Sequence, residues 1–111
     1  MKITEFHKHY KDCFPVGEGW RPIVEKLVDD IMAISPQIEI TQIKEKFGTL
    51  RFYIGGVKHE ISNSVYSLIE RAEQESGVTC EHCGTKDKVT TKGTYILTLC
   101  ASCRKARNNQ K

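Results

Sequence analysis

Thr79-Cys80-Glu81-His82-Cys83-Gly84 and Thr98-Leu99-Cys100-Ala101-Ser102-Cys103 decide how the last third of the chain folds. In each stretch, C-x-x-C lets one tight turn aim two sulfurs at a common point, and Gly84 supplies the positive φ that closes such a knuckle. Sixteen residues, 84–99, separate the pairs, which is the length of a short β-hairpin returning the chain to its start. Tyr95, Leu97 and Leu99 alternate toward the second pair as a strand does. Paired knuckles at this spacing describe a zinc ribbon in which Cys80, Cys83, Cys100 and Cys103 hold one Zn2+. Four protein ligands leave no position open to water, so the ion is expected to be structural and not catalytic. His82 can replace a sulfur, but the simpler assignment leaves it exposed between ligands. Neither pair is expected to open a helix after a core strand, which argues against a thiol redox role.

Working outward, 111 residues with 39% hydrophobic and 28% charged content suit one compact domain. A domain this short leaves much of its surface exposed, so a metal that fastens its weakest part matters. No apolar run approaches the roughly 18 residues of a membrane span, and Met1-Lys2-Ile3-Thr4-Glu5 lacks a secretory apolar stretch. The expectation is a cytoplasmic protein without a membrane partner, where reduced thiols make metal ligands a better reading than disulfides. The formal charge of +3 falls to about +1 once four thiolates and a zinc dication are counted. Its distribution is more telling: Lys86, Lys88, Lys92, Arg104, Lys105, Arg107 and Lys111 stand against Asp87 alone, whereas Glu18, Glu25, Asp29 and Asp30 make the first helix region acidic.

Gly17-Glu18-Gly19-Trp20 leads into Arg21-Pro22, where proline suits a first helical turn. Trp20, Ile23, Val24, Leu27, Ile31 and Ile34 then follow helical spacing until Ser35-Pro36 ends the run. From Gln37 to Ile54 the period becomes two. Ile38 and Ile40 fall on one strand and Leu50, Phe52 and Ile54 on the next, joined near Phe47-Gly48 in a β-hairpin. A slip in alternation between Ile40 and Ile43 predicts a bulge or an early strand end, while Arg51 and Tyr53 should project from the face opposite the apolar set. Ile61, Val65, Leu68, Ile69 and Ala72 mark a second amphipathic helix ending at Ser76, with Gly77 suited to a left-handed cap. This helix should cover the apolar side of the hairpin. The predicted class is α+β: a helix–hairpin–helix region over 1–77, the zinc ribbon over 78–105 packed on it as one unit, and a basic tail over 106–111, frayed from Asn108 onward.

Two further groups carry chemistry. His7, His9 and Cys13 are metal-competent side chains, but the plainer reading is a flexible polar N-terminus plus one thiol. Lys44-Glu45-Lys46-Phe47-Gly48-Thr49-Leu50-Arg51-Phe52-Tyr53 interleaves cations with aromatics, a combination that holds phosphate and stacks a base. Its competing reading is a solvated face with Phe47 packed into the core.

That run, together with Gly17-Glu18-Gly19-Trp20, Ala72-Glu73, the first knuckle and Thr98-Leu99-Cys100, resembles a family of small bacterial and phage or prophage proteins with no established activity. The resemblance covers most of residues 17–103. It implies the zinc site, whose fourth position is sometimes histidine in that family and is Cys103 here, and it implies a phage or prophage setting. This chain departs by Tyr95, where relatives often carry tryptophan, and by a more basic tail. The leading functional expectation is a non-catalytic binding protein that engages nucleic acid or a nucleotide through Lys44, Lys46, Arg51 and Tyr53. An inhibitor or adaptor acting on a host or defence protein is the alternative. A nucleotide hydrolase is third, because no nucleophile–base pair, phosphate-binding glycine loop or open metal site is evident, although Glu18 and Glu73 could meet near Arg51.

Overall fold

A computed structural model describes residues 1–93 and 96–108. Two helices and a hairpin enclose the main core. α2 (Arg21–Ile34) starts with Pro22 in its first turn and buries Ile23, Val24, Leu27, Val28 and Ile31, while Ile34 at its end stays exposed. α3 (Ser62–Ser76) buries Val65, Ile69, Ala72 and Ser76, the three-and-four spacing that puts one face against α2 and the hairpin. Gly77 is right-handed (φ −67°), not the left-handed cap that its place in the sequence suggests. Its N–H continues the helical bonding to Glu73 and Gln74, so no reversal of hand is needed.

β1 (Glu39–Lys46) and β2 (Thr49–Gly55) pair antiparallel, and the expected irregularity falls between Ile40 and Gln42. Phe47 (φ +54°) and Gly48 (φ +83°) form the two-residue connection, both left-handed as a type I′ hairpin turn requires. Ile40, Ile43, Leu50 and Phe52 are buried and join Trp20, which is fully buried, in one cluster with the helices.

The N-terminus is not the flexible polar segment that its charged composition suggests. A 3-10 turn at Ile3–Glu5 runs into α1 (Phe6–His9), and both Ile3 and Phe6 enter the core. The preceding residues pair with β1: Ile40 N–H donates to Met1 O at 2.7 Å and Ile3 N–H to Ile38 O at 3.0 Å. That pairing covers the start of the β1 edge.

The far edge of β2 is covered by α3. Leu50 N–H donates to Ser76 Oγ at 2.8 Å and Phe52 N–H to Glu73 Oε2 at 3.1 Å. Ser76→Ala therefore leaves a buried Leu50 N–H without an acceptor, and we expect a loss of about 1–3 kcal/mol in chemical denaturation. Ser67→Ala, on the exposed side of the same helix, should leave the midpoint unchanged.

Beyond Gly77 the chain forms a second, smaller lobe. β3 (Val89–Lys92) and β4 (Leu97–Cys100) pair antiparallel, and α4 (Ala101–Asn108) follows directly. α4 extends three residues into the segment predicted as a tail, and Tyr95 and 109–111 lie outside the described residues. The α+β class with a ribbon-like C-terminal lobe is as expected. No helix among the described residues is long and apolar enough to cross a membrane.

Candidate functional site

The four cysteines of the two pairs converge. All their sulfurs lie within 4.8 Å of one another, and Cys83 Sγ to Cys100 Sγ is 3.7 Å. The edge of a tetrahedron with metal–sulfur bonds of about 2.3 Å is about 3.8 Å, so the donor set fits a four-thiolate metal centre. The two halves are built alike. Cys83 N–H points to Cys80 Sγ at 3.5 Å and Cys103 N–H to Cys100 Sγ at 3.4 Å, while Gly84 (φ +84°) closes the first knuckle as expected. Cys100 ends β4 and Cys103 sits in the first turn of α4, so the second pair does open a helix after a strand, contrary to expectation. Helix placement therefore does not speak against a redox role. Convergence of all four sulfurs is what carries the metal reading.

Crowded sulfurs share their protons unequally. Burial works against ionising Cys80, but backbone N–H groups at Cys100, Cys83 and His82 outweigh it and bring the thiol down to about 6. The Thr85 backbone favours the Cys83 thiolate, yet burial and the Cys80 and Cys100 sulfurs carry this thiol above its ordinary value. Cys103 is pushed up strongly, first by the Cys100 sulfur and then by burial. With the sulfurs together and no cation among them, the Cys80 thiolate is favoured while Cys83 and Cys103 hold their protons; a dication favours the thiolate form of these two as well. Metal addition at about pH 7.5 should release protons, those of Cys83 and Cys103 among them, measurable by calorimetry in buffers of different ionisation enthalpy. Affinity should fall on acidification.

His82 is exposed with Nδ1 3.5 Å from Cys103 Sγ, beside the centre and outside the four-sulfur group. His7, His9 and Cys13 form no second cluster among the described residues: His7 Nε2 instead meets Asp29 Oδ1 at 2.8 Å, and Cys13 is exposed.

The hairpin assembles the other candidate residues. Strand alternation and the pairings Lys46↔Thr49, Lys44↔Arg51 and Gln42↔Tyr53 put Lys44, Lys46, Arg51 and Tyr53 on one face, opposite Leu50 and Phe52. Lys44 Nζ lies 5.7 Å from the Tyr53 ring centre and Lys46 Nζ 5.6 Å from that of Phe47. Glu45, the carboxylate nearest in sequence, is committed to the turn, accepting Gly48 N–H at 2.8 Å. None of the three cations forms an ion pair among the described residues, and Arg51 Nε is buried without a partner. Phe47 does not pack into the core; it is 65% exposed.

Glu18 and Glu73 do not meet at Arg51. Glu18 binds Arg21 at 2.6 Å, a bond that holds its carboxyl below the ordinary value, and Glu73 accepts Phe52 N–H.

How the lobes are joined is not foreseeable from the sequence. Gly19 N–H donates to Glu81 O at 2.9 Å, and buried Trp20 Nε1 donates to Thr79 O at 2.9 Å, so Gly17-Glu18-Gly19-Trp20 is a seat for the first knuckle. At the other junction the Thr98 hydroxyl donates to Gly48 O. A Cβ on Gly48 would lie 2.5 Å from Thr91 Cγ2, so only glycine fits between hairpin tip and ribbon. Arg104 is also structural: its guanidinium donates to the Thr90, Lys92 and Leu97 carbonyls and ties α4 to the ribbon. Gly19 and Gly48 are visible as glycines beside aromatics, but the groups they approach belong to the distant Cys80 and Thr98.

No protein-family model, curated protein or solved structure matches the chain.

Proposed function

We propose that this is a non-catalytic, cytoplasmic binding protein of phage or prophage setting, whose four cysteines hold one structural zinc ion and whose hairpin face engages nucleic acid or a nucleotide. An all-sulfur tetrahedral donor set supports zinc over harder cations. The motif resemblance supports the setting. The observation that carries the ligand is Lys44 directly opposite Arg51, with Lys46 beside them and no carboxylate paired with any of the three among the described residues. Like charges facing across a strand pair destabilise a sheet, so the arrangement makes sense when an anion bridges them.

Titration of labelled oligonucleotide at increasing salt tests this reading. Binding should weaken steeply with salt. Lys44→Ala combined with Arg51→Ala should reduce affinity roughly tenfold and flatten the log–log slope by about 0.7–0.9 for each phosphate no longer neutralised. Unchanged binding by the double variant would remove this face from the site. Exposed Phe47, Val78 and Ile96 favour a second reading, a protein-docking surface of an inhibitor or adaptor. A stoichiometric partner retained after nuclease treatment and released by Phe47→Ala would select it.

A further inference from the structure

We infer that Phe47 is a stacking residue and that the hairpin face takes single-stranded nucleic acid, with one base on the Phe47 ring and the phosphates on Lys44, Lys46 and Arg51. This rests on the reading of that face given above and narrows it to one ligand class.

Phe47 occupies the first central position of a type I′ turn at φ +54°, where asparagine, aspartate and glycine are the favoured residues. A bulky side chain there is rare and strained. Burial does not compensate the strain, since the ring is 65% exposed. The neighbouring turn residues are engaged within the fold. Glu45 receives Gly48 N–H, Gly48 O receives the Thr98 hydroxyl, and Thr49 Oγ1 donates to Lys46 O at 3.1 Å. Phe47 alone in this turn breaks a local rule without burial in return, the pattern expected of a residue kept for contact with something else.

Its surroundings name the partner. Lys46 lies over the Phe47 ring, and Lys44 over that of Tyr53, itself 41% exposed on the same face. Tyr53 stands four residues beyond Thr49 along β2, roughly 13 Å at ordinary strand rise, so rings and cations alternate over the length of a few nucleotides. Bases in a duplex are stacked on one another and closed to an aromatic ring; bases in a single strand are open to it. The tip is held from behind by the ribbon through Thr98 and Thr91, so the ring is presented on a fixed support.

The test compares the wild-type chain with Phe47→Asn and Phe47→Tyr, in metal-loaded form, by fluorescence anisotropy. The probes are a labelled single strand of about 15 nucleotides, the same strand annealed to its complement, and a labelled mononucleotide. We expect the single strand to bind at least about tenfold more tightly than the duplex. Phe47→Asn should reduce single-strand affinity roughly tenfold or more with duplex binding unmoved, and Phe47→Tyr should retain it. Because asparagine suits the turn, Phe47→Asn should melt at a higher temperature than wild type, which separates loss of stacking from loss of folding. Equal binding of single strand and duplex, or unchanged affinity in Phe47→Asn while Lys44→Ala weakens both, overturns the stacking inference and leaves the phosphate-binding reading standing. Binding to the mononucleotide alone also overturns it. Binding to none of the probes overturns both.

Discussion

Stripping the metal with a chelator, or replacing Cys100 with serine, will unfold the C-terminal lobe while the main core stays folded. The lobe has almost no core of its own: its buried apolar cluster is Cys80, Leu99 and Cys100, and two of these belong to the four-cysteine group that fits a metal ion. Its strands are four residues each, too short for a two-stranded sheet to persist unaided. Metal binding to finger peptides contributes on the order of 10 kcal/mol, comparable with the whole stability of a small domain, so its loss cannot be absorbed locally. Hydrogen exchange should show residues 79–108 losing protection together, and the melting temperature should fall by more than about 10 °C. The core of Trp20, Leu27, Ile31, Leu50, Phe52 and Val65 should keep its slow amides. Cys13→Ser, at an exposed thiol remote from the centre in sequence, is the control and should change neither readout.

Gly19→Ala will be nearly as damaging although it adds one methyl group. A Cβ there would sit 2.1 Å from the Cys80 carbonyl oxygen and 2.6 Å from the Gly84 nitrogen. Both obstacles are backbone of the knuckle, so neither can rotate aside. Accommodation means moving the knuckle off its seat, which breaks Gly19 N–H to Glu81 O and leaves buried Trp20 Nε1 without Thr79 O. We expect a loss of about 3–5 kcal/mol in chemical denaturation, together with weaker metal retention under chelator competition. Gly55→Ala, whose Cβ meets nothing nearer than Thr41 Cγ2 at 3.7 Å, should stay within about 0.5 kcal/mol of wild type.

Local periodicity and spacing are legible in the sequence; contacts between distant segments are not. The cysteine pairs announce the metal centre because C-x-x-C is a local geometry, and only its closure needs the fold. α2 is legible from Pro22 to Ser35 because a buried stripe and two prolines bound it, and the hairpin is legible because Ile38, Ile40, Leu50, Phe52 and Ile54 keep period two on either side of the slip between Ile40 and Ile43 that marks the irregularity. The N-terminal turn escapes because Ile3 and Phe6 stand alone among charged and polar neighbours, too few to show a period. α4 escapes because Ala101–Asn108 has no apolar stripe; it is tied to the ribbon by Arg104 and follows directly on Cys100 rather than packing through a buried face. Residue type alone points Phe47 inward, yet the turn carries it beyond the sheet, where there is no core to enter. The seat made by Gly17 and Gly19 depends on close approach to the backbone of Glu81 and Cys80, far along the chain, and no local rule reports that.

X-ray absorption at the zinc edge, on protein loaded with one equivalent of zinc, tests the centre most directly. The convergence of Cys80, Cys83, Cys100 and Cys103 predicts a single shell of four sulfurs at about 2.3 Å. A mixed shell of sulfur with nitrogen at about 2.0 Å would put His82 in place of a cysteine, and a shell of oxygens, or failure to retain zinc, would contradict the four-thiolate centre on which the folding of the second lobe depends.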